Sequence, residues 1–194
     1  MKILICIAGE REININIVKN QLKDIYLKIK YTGIGVKDKE SLKHFIKKEK
    51  FSHVINAGTA GIVSDKVNLF DIILPSVFYS FKDDKVICCD SIFTKNINKN
   101  WKRVGIITVD KPITSIHQKS EIQKKYIDAG IVDMESYYIS KICNDLNIHF
   151  ISIKVATDYC NTDTTRIFYK NLSRIKEILT SATIELIKNL IKNE

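Results

Sequence analysis

Short apolar runs alternate along this chain with stretches whose apolar residues recur every three or four positions. Residues 2–8 (KILICIA) form a near-continuous β-type run, as in a strand covered on both faces. Residues 13–23 suit a helix. In 25–32 (IYLKIKYT), Ile25, Leu27 and Ile29 alternate with Tyr26, Lys28 and Lys30, the period of a half-buried strand. Residues 38–49 open on an aspartate suited to capping and place Leu42, Phe45 and Ile46 on one helical face. Strand-like runs follow at 53–61 (HVINAGTAG), 71–78 (DIILPSVF), 85–93 (KVICCDSIF), 103–110 (RVGIITVD) and 129–134 (AGIVDM), with a helix near 115–127. A helix at 135–146, a strand at 149–158 (HFISIKVATD) and a helix from about 164 to 192 complete the pattern. The last helix carries Ile175, Leu179, Ala182, Leu186 and Leu190 on one side.

Strands alternating with helices predict an α/β architecture, three layers deep, with helices on both faces of a mixed sheet. The crowding of strands between 53 and 110 predicts some antiparallel pairing or a partly barrel-like distortion. No linker, repeat or low-complexity tract interrupts residues 1–194, and that length suits a single domain.

Composition narrows the function classes. The chain has 31 Lys+Arg against 22 Asp+Glu, a formal charge of +9, which raises the question of a nucleic-acid partner. The basic residues are almost all lysine, with only Arg11, Arg103, Arg166 and Arg174, and they are spread over the whole chain. A solvated lysine surface is the expectation, not a nucleic-acid-binding patch. No apolar run approaches the ~18–20 residues of a membrane span, so no membrane partner is expected. The N-terminal MKILICIAGE reads as a first buried strand rather than a signal peptide. Cys6, Cys88, Cys89, Cys143 and Cys160 lack disulfide or zinc-ligand spacing; small buried hydrophobes in a reducing cytoplasm are expected.

In α/β sheets ligands collect beyond the carboxyl ends of strands. Those ends carry Gly9-Glu10-Arg11-Glu12, Thr32-Gly33-Ile34-Gly35, Asn56-Ala57-Gly58-Thr59-Ala60-Gly61, Asp110, Asp133-Met134-Glu135 and Thr157-Asp158. Small residues bring backbone amides close to a ligand, and carboxylates can move protons or hold sugar hydroxyls. Neither glycine cluster completes a dinucleotide fingerprint or a P-loop. Taken singly, an acid that opens a helix is a cap, an aspartate after a strand is a turn residue, and Met134 is core.

As an ordered set these segments resemble a known family. IAGEREI, TGIG, INAGTAG, VDMES and ATD are similar to the signature segments of the purine and uridine phosphorylase family. The resemblance is strongest to its 5′-methylthioadenosine/S-adenosylhomocysteine nucleosidase branch. It implies that Glu12 activates the attacking water and that Asp158 protonates the purine at N7. Met134 would lie under the sugar, with Glu135 holding its 2′- and 3′-hydroxyls beside Asp133. Thr32 and Gly33 would face the water or phosphate position, and Gly58, Thr59 and Ala60 would line the ribosyl and base pocket. It also implies a homodimer and neither metal nor organic cofactor.

Three departures refine that expectation. Asn56 stands where phosphate-using members carry an arginine, whose rigid fork suits phosphate. Its absence points to water, leaving phosphorolysis and a non-catalytic nucleoside-binding protein as the alternatives. The 13–31 segment is shorter than in the family. Asp110-Lys111-Pro112 occupies the place of an aromatic residue that covers the purine.

Overall fold

The apolar run at the N-terminus becomes β1 (Lys2–Ile7), the hub from which the sheet is laid out in the computed structural model, which describes residues 1–89 and 97–192. It is followed by α1 (Ile15–Gln21), β2 (Tyr26–Tyr31), α2 (Lys39–Glu49) and β3 (His53–Ile62). Next come β4 (Ile72–Ile73), β5 (Val77–Ser80), β6 (Lys85–Cys88) and β7 (Gly105–Thr108). The chain ends with α3 (Ile116–Lys125), β8 (Ala129–Asp133), α4 (Ser136–Asp145), β9 (His149–Asp158) and α5 (Thr164–Lys192).

β1 lies between β2 and β3, parallel to both, and β3 runs parallel to β9 on its other edge. At its far end β3 outlasts β1, and Gly61 and Ile62 pair antiparallel with β8. β8 and β7 are parallel, as are β7 and β5; β5 and β6 form an antiparallel hairpin. β4 pairs antiparallel with β9. Since the chain runs directly from β4 to β5, the ladder β9–β4/β5–β7–β8–β3 returns to β9. The expected barrel-like distortion is therefore present, grafted on an open parallel sheet.

Period-two alternation sorts the core. Ile3, Ile5 and Ile7 face α1 and α5, joining Val18, Ile175 and Leu179 in one cluster. Leu4 and Cys6 face the opposite way, toward Leu42 and Ile46 of α2 and Ile139 and Cys143 of α4. A smaller cluster beneath α3 joins Ile107, Ile122 and Val132. Helices thus cover both sheet faces, as the alternating pattern required.

The expected 71–78 strand is broken in two, because Pro75 has no N–H to give a ladder. The helix expected over 13–23 is shorter, since Asn14 caps it by accepting a hydrogen bond from Ile17 N. Of the 85–93 run, Asp90 to Phe93 lie outside the described residues. Cys6, Cys143 and Cys160 are buried as expected, but Cys88 is exposed and Cys89 only half-buried on the β5–β6 hairpin side. Among the described residues no helix is long and apolar enough to cross a membrane.

Candidate active site

A cavity of about 310 Å³ opens where the carboxyl ends of β3, β8 and β9 meet. Glu12, Thr59, Ala60, Met134, Glu135 and Asp158 all line it. Four separate segments of sequence thus deliver expected residues to one hollow.

Glu12 follows β1 but does not cap α1, a task that Asn14 performs. Its carboxylate instead turns across to β3, where Oε2 accepts hydrogen bonds from Thr59 N (3.1 Å) and Thr59 Oγ1 (3.3 Å). Burial pushes its pKa above the ordinary glutamate value, against the opposing pull of Lys154 and the Thr59 donors. Gly58 lies beneath this contact. A Cβ there would stand 3.2 Å from both Glu12 Oε2 and Lys154 Nζ, so the missing side chain gives room for both charges.

The junction between β8 and α4 divides its labour between two acids. Asp133 does the capping: its Oδ2 accepts from Ser136 N (3.0 Å) and Ser136 Oγ (2.6 Å), and its Oδ1 from Thr108 Oγ1 (2.8 Å). Lys154 Nζ stands 2.8 Å from the same carboxylate, whose side chain has no exposed surface. Asp133 was expected among the substrate-binding residues, yet its oxygens are enclosed and committed to the protein. It supports the site from behind. Glu135, relieved of capping, points its carboxylate at the cavity, accepting from Gly35 N (2.9 Å) and Met134 N (3.3 Å). Burial and the neighbouring Asp133 push its pKa to about 7, with Lys154 and the Gly35 amide opposing.

Lys154 was not singled out from the sequence. It is fully buried on β9, donates to Asn56 Oδ1 (2.9 Å) and pairs with Asp133. Burial alone would lower its pKa, but Asp133, Glu135 and Glu12 together raise it above the ordinary lysine value. The ammonium thus tempers the repulsion of three buried carboxylates. The signal was present: a lysine inside the apolar run HFISIKVATD, where buried lysines occur only when paired.

Asp158 ends β9 opposite Gly61, where a β-bulge shifts the β3–β9 register. Its Oδ1 accepts from Cys160 N (3.0 Å) and from Thr164 Oγ1 (2.9 Å) at the start of α5; its Oδ2 accepts from Thr157 Oγ1 (2.9 Å). One oxygen therefore does the work of a turn residue with two donors, while the other has a single donor in Thr157 Oγ1. A Cβ on Gly61 would overlap Cys160 Sγ and approach Asp158 Oδ1 to 3.3 Å. Gly61→Ala is expected to destabilise by about 1–3 kcal/mol, the usual cost of overpacking, and to impair whatever Asp158 does. Adding Cys160→Ala should recover most of the stability in a denaturant titration; failure to recover would place the strain elsewhere.

Thr32 and Gly33 do not reach this cavity. They line a neighbouring one of about 520 Å³ between β1, β2 and α2, which shares only Ala8 with the first. Thr32 Oγ1 donates to Ile7 O (3.3 Å), and the Lys37 stem packs over Gly33. The same loop does contribute Ile34 to the cavity wall and Gly35 N to Glu135. Among the described residues no cluster of His, Cys, Asp or Glu is arranged to hold a metal ion.

A model of the phosphorylase superfamily matches residues 88–188, just over half of the chain. The chain belongs to that superfamily. A 5′-methylthioadenosine/S-adenosylhomocysteine nucleosidase of Staphylococcus aureus strain JH9 is 24% identical over 225 aligned positions, covering 94% of this chain and 97% of the relative. The alignment is longer than this 194-residue superfamily member, so the relative carries residues that it lacks. The S-adenosylhomocysteine nucleosidase from Streptococcus pyogenes, solved with 5-methylthiotubericidin, superposes with a TM-score of 0.86 at 17% identity, covering 98% of this chain and 97% of that one. A futalosine hydrolase mutant of Helicobacter pylori superposes with a TM-score of 0.85 at 14% identity over the full length of both chains. These likenesses establish the superfamily fold from one end of the described chain to the other.

Proposed function

We propose that residues 1–194 act as one unit that hydrolyses the N-glycosidic bond of a purine nucleoside. The substrate is a 5′-modified adenosine such as methylthioadenosine or S-adenosylhomocysteine, in keeping with the names of the relatives. The observation that carries the reading is the pair of carboxylates, Glu12 and Asp158, on one cavity with Glu135 between them in chain order. They are anchored at Thr59 and opposite Gly61, two residues apart on β3, a rise of about 7 Å.

In the proposed step the C1′–N9 bond breaks and its electron pair stays with the base. Asp158 gives a proton to N7, and water attacks C1′ while passing a proton to Glu12. Each such transfer is worth roughly 10²–10⁴ in rate. The raised pKa of Glu12 makes it a stronger base than a solvated glutamate. Glu135 accepts the ribose hydroxyls over Met134, and Lys154 limits the charge that the three acids build up.

Water is favoured over phosphate by the local charge. Asn56 is committed to Lys154, Lys154 to Asp133, and Arg11 is exposed. A phosphate dianion entering here would meet Glu12 and Glu135 with no guanidinium to receive it. Ile34 and Tyr169, apolar and more than half exposed at the cavity mouth, fit coverage by a second copy in a homodimer. A cytoplasmic site of action is part of the same proposal.

Product analysis tests the reading on a panel of adenosine, inosine, methylthioadenosine, S-adenosylhomocysteine, futalosine and uridine. Free base and free sugar should form at equal rates with and without phosphate. Strict phosphate dependence with a sugar 1-phosphate as product would identify a phosphorylase. Tight nucleoside binding with no turnover would identify a binding protein.

A further inference from the structure

Tyr138 lies on α4, and its ring meets that of Tyr137 edge-on, with centroids 5.9 Å apart. Its hydroxyl does something else. It leaves α4 and donates to Asp110 Oδ1 at 2.7 Å, in the loop between β7 and α3. On the other side of the ring Lys39 Nζ sits 3.3 Å from the centroid. Lys39 is the first residue of α2, immediately after the loop that sends Ile34 to the cavity and Gly35 N to Glu135. Tyr138 therefore touches Asp110 in one loop that lines the site and Lys39 at the end of another.

The Asp110 loop is held by packing at Val109 and Ile113, which join the cluster beneath α3, but Asp110, Lys111 and Pro112 between them are exposed. Its backbone anchors lie at its ends, where Val109 N donates to Asp133 O (2.8 Å) and Thr114 N to Gln118 Oε1 (3.4 Å). Between them the chain is irregular, and Val109, Pro112 and Ile113 line the cavity. Lys82 approaches Asp110 Oδ2 at 3.8 Å, but both side chains are more than half exposed, and such pairs contribute little. Tyr138 is half-buried, and although the Asp110 side chain is half exposed, the hydroxyl donates to it at 2.7 Å, well inside hydrogen-bond distance. Burial and that acceptor both raise the phenol pKa, so the hydroxyl keeps its proton.

We propose that Tyr138 and Asp110 form a strap that sets Pro112 and Ile113 against the base of the bound nucleoside, so that Tyr138 is a positioning residue for the purine. The base is placed at that wall by the nucleosidase reading, on which this proposal rests. The strap acts in place of an aromatic cover: a proline gives a rigid wall, but only if the loop that carries it is held. A wall left loose must be ordered when the base binds, and that ordering is a cost in affinity.

The test compares Tyr138→Phe, Asp110→Ala, Asp110→Asn and the Tyr138→Phe/Asp110→Ala double variant. Tyr138→Phe should raise KM and weaken adenine binding about tenfold, as expected for one lost hydrogen bond to a charged group, with kcat and melting temperature nearly unchanged. Asp110→Ala should match it, and the double variant should be no worse than either single one. Asp110→Asn, which keeps an acceptor, should lie between them and the parent. Hydrogen exchange of the amides at 110–114 should quicken in Tyr138→Phe. If exchange there is unchanged, the strap is wrong whatever the activity. If the parent protein turns over no nucleoside but exchange does quicken, the strap stands and the nucleosidase reading falls. If the parent is active and KM and adenine affinity do not move, Tyr138 does not position the purine.

Discussion

Asp158→Asn is expected to lower the turnover of purine nucleosides by at least ~10²-fold, the low end of the range for general acid catalysis. The substitution is close to isosteric. The remaining carbonyl oxygen can still accept from Cys160 N and Thr164 Oγ1 as Oδ1 does. The amide can donate to Thr157 Oγ1, which rotates from donor to acceptor at the position it now holds 2.9 Å away. The turn into α5 should therefore survive, and the melting temperature should stay close to that of the parent. What the amide lacks is a transferable proton. Binding of a non-hydrolysable adenosine analogue should accordingly change far less than kcat, because the amide still meets the base edge. Single-turnover base release and analogue titration on the same preparation separate the two. Near-normal turnover by Asp158→Asn on the best substrate would remove Asp158 as the acid and the proposed mechanism with it.

The layout of strands and helices was legible because periodicity reports burial directly. KILICIA, HVINAGTAG and HFISIKVATD are the strands at the middle of the open sheet, and their apolar residues split cleanly between the two core clusters. Strand pairing was less legible, because β4 and β5 share one apolar run and only Pro75 separates them. The branching of β3 from β1 to β8 depends on strand lengths rather than on pattern. Among the site residues, Glu12, Thr59, Ala60, Met134, Glu135 and Asp158 reach one cavity, since a strand end fixes its next residue to within a few ångströms, while Gly58 stays beneath it. Thr32 and Gly33 line the neighbouring cavity because their loop carries left-handed backbone at Gly33, Gly35 and Val36, and of its residues only Ile34 reaches the site cavity. Asp133 looked like a ligand in sequence because adjacent acids cannot be told apart until the cap is assigned. The apolar run around Lys154 signals its burial, but its partner Asp133 and the Asp110 partner of Tyr138 lie 21 and 28 residues away in the chain, separations that no local pattern encodes.

Glu135→Gln is expected to weaken nucleoside binding while stabilising the empty protein above neutral pH. In the free protein burial and Asp133 raise the Glu135 pKa from 4.5 to about 7. Between those values the folded chain keeps a proton that the unfolded chain has released. The stability contributed by this group is thus fully present below pH 4.5 and lost as pH rises through about 7. At about 1.4 kcal/mol per pH unit the loss is on the order of 3 kcal/mol. Glutamine carries no such term and can still accept from Gly35 N through its one oxygen, giving up the longer bond from Met134 N. Denaturant titrations at pH 5 and pH 8 should show the parent losing stability and the variant losing less. A residual slope should remain, because Glu12 is shifted in the same direction. Activity should move the opposite way. An ionised Glu135 accepts two ribose hydroxyls, and hydrogen bonds to charged groups contribute about 1.5–3 kcal/mol each. The parent's kcat/KM should therefore climb with pH up to about 7 as this carboxyl ionises in the free enzyme. Glu135→Gln should lose affinity and rate together, with 2′-deoxy substrates hurt less than ribosides. Bound nucleoside should also make the parent, more than the variant, resist unfolding at pH 8, since ligand stabilisation follows affinity. Equal affinity for ribosides in the two proteins, with the same dependence of stability on pH, would remove Glu135 from the sugar site.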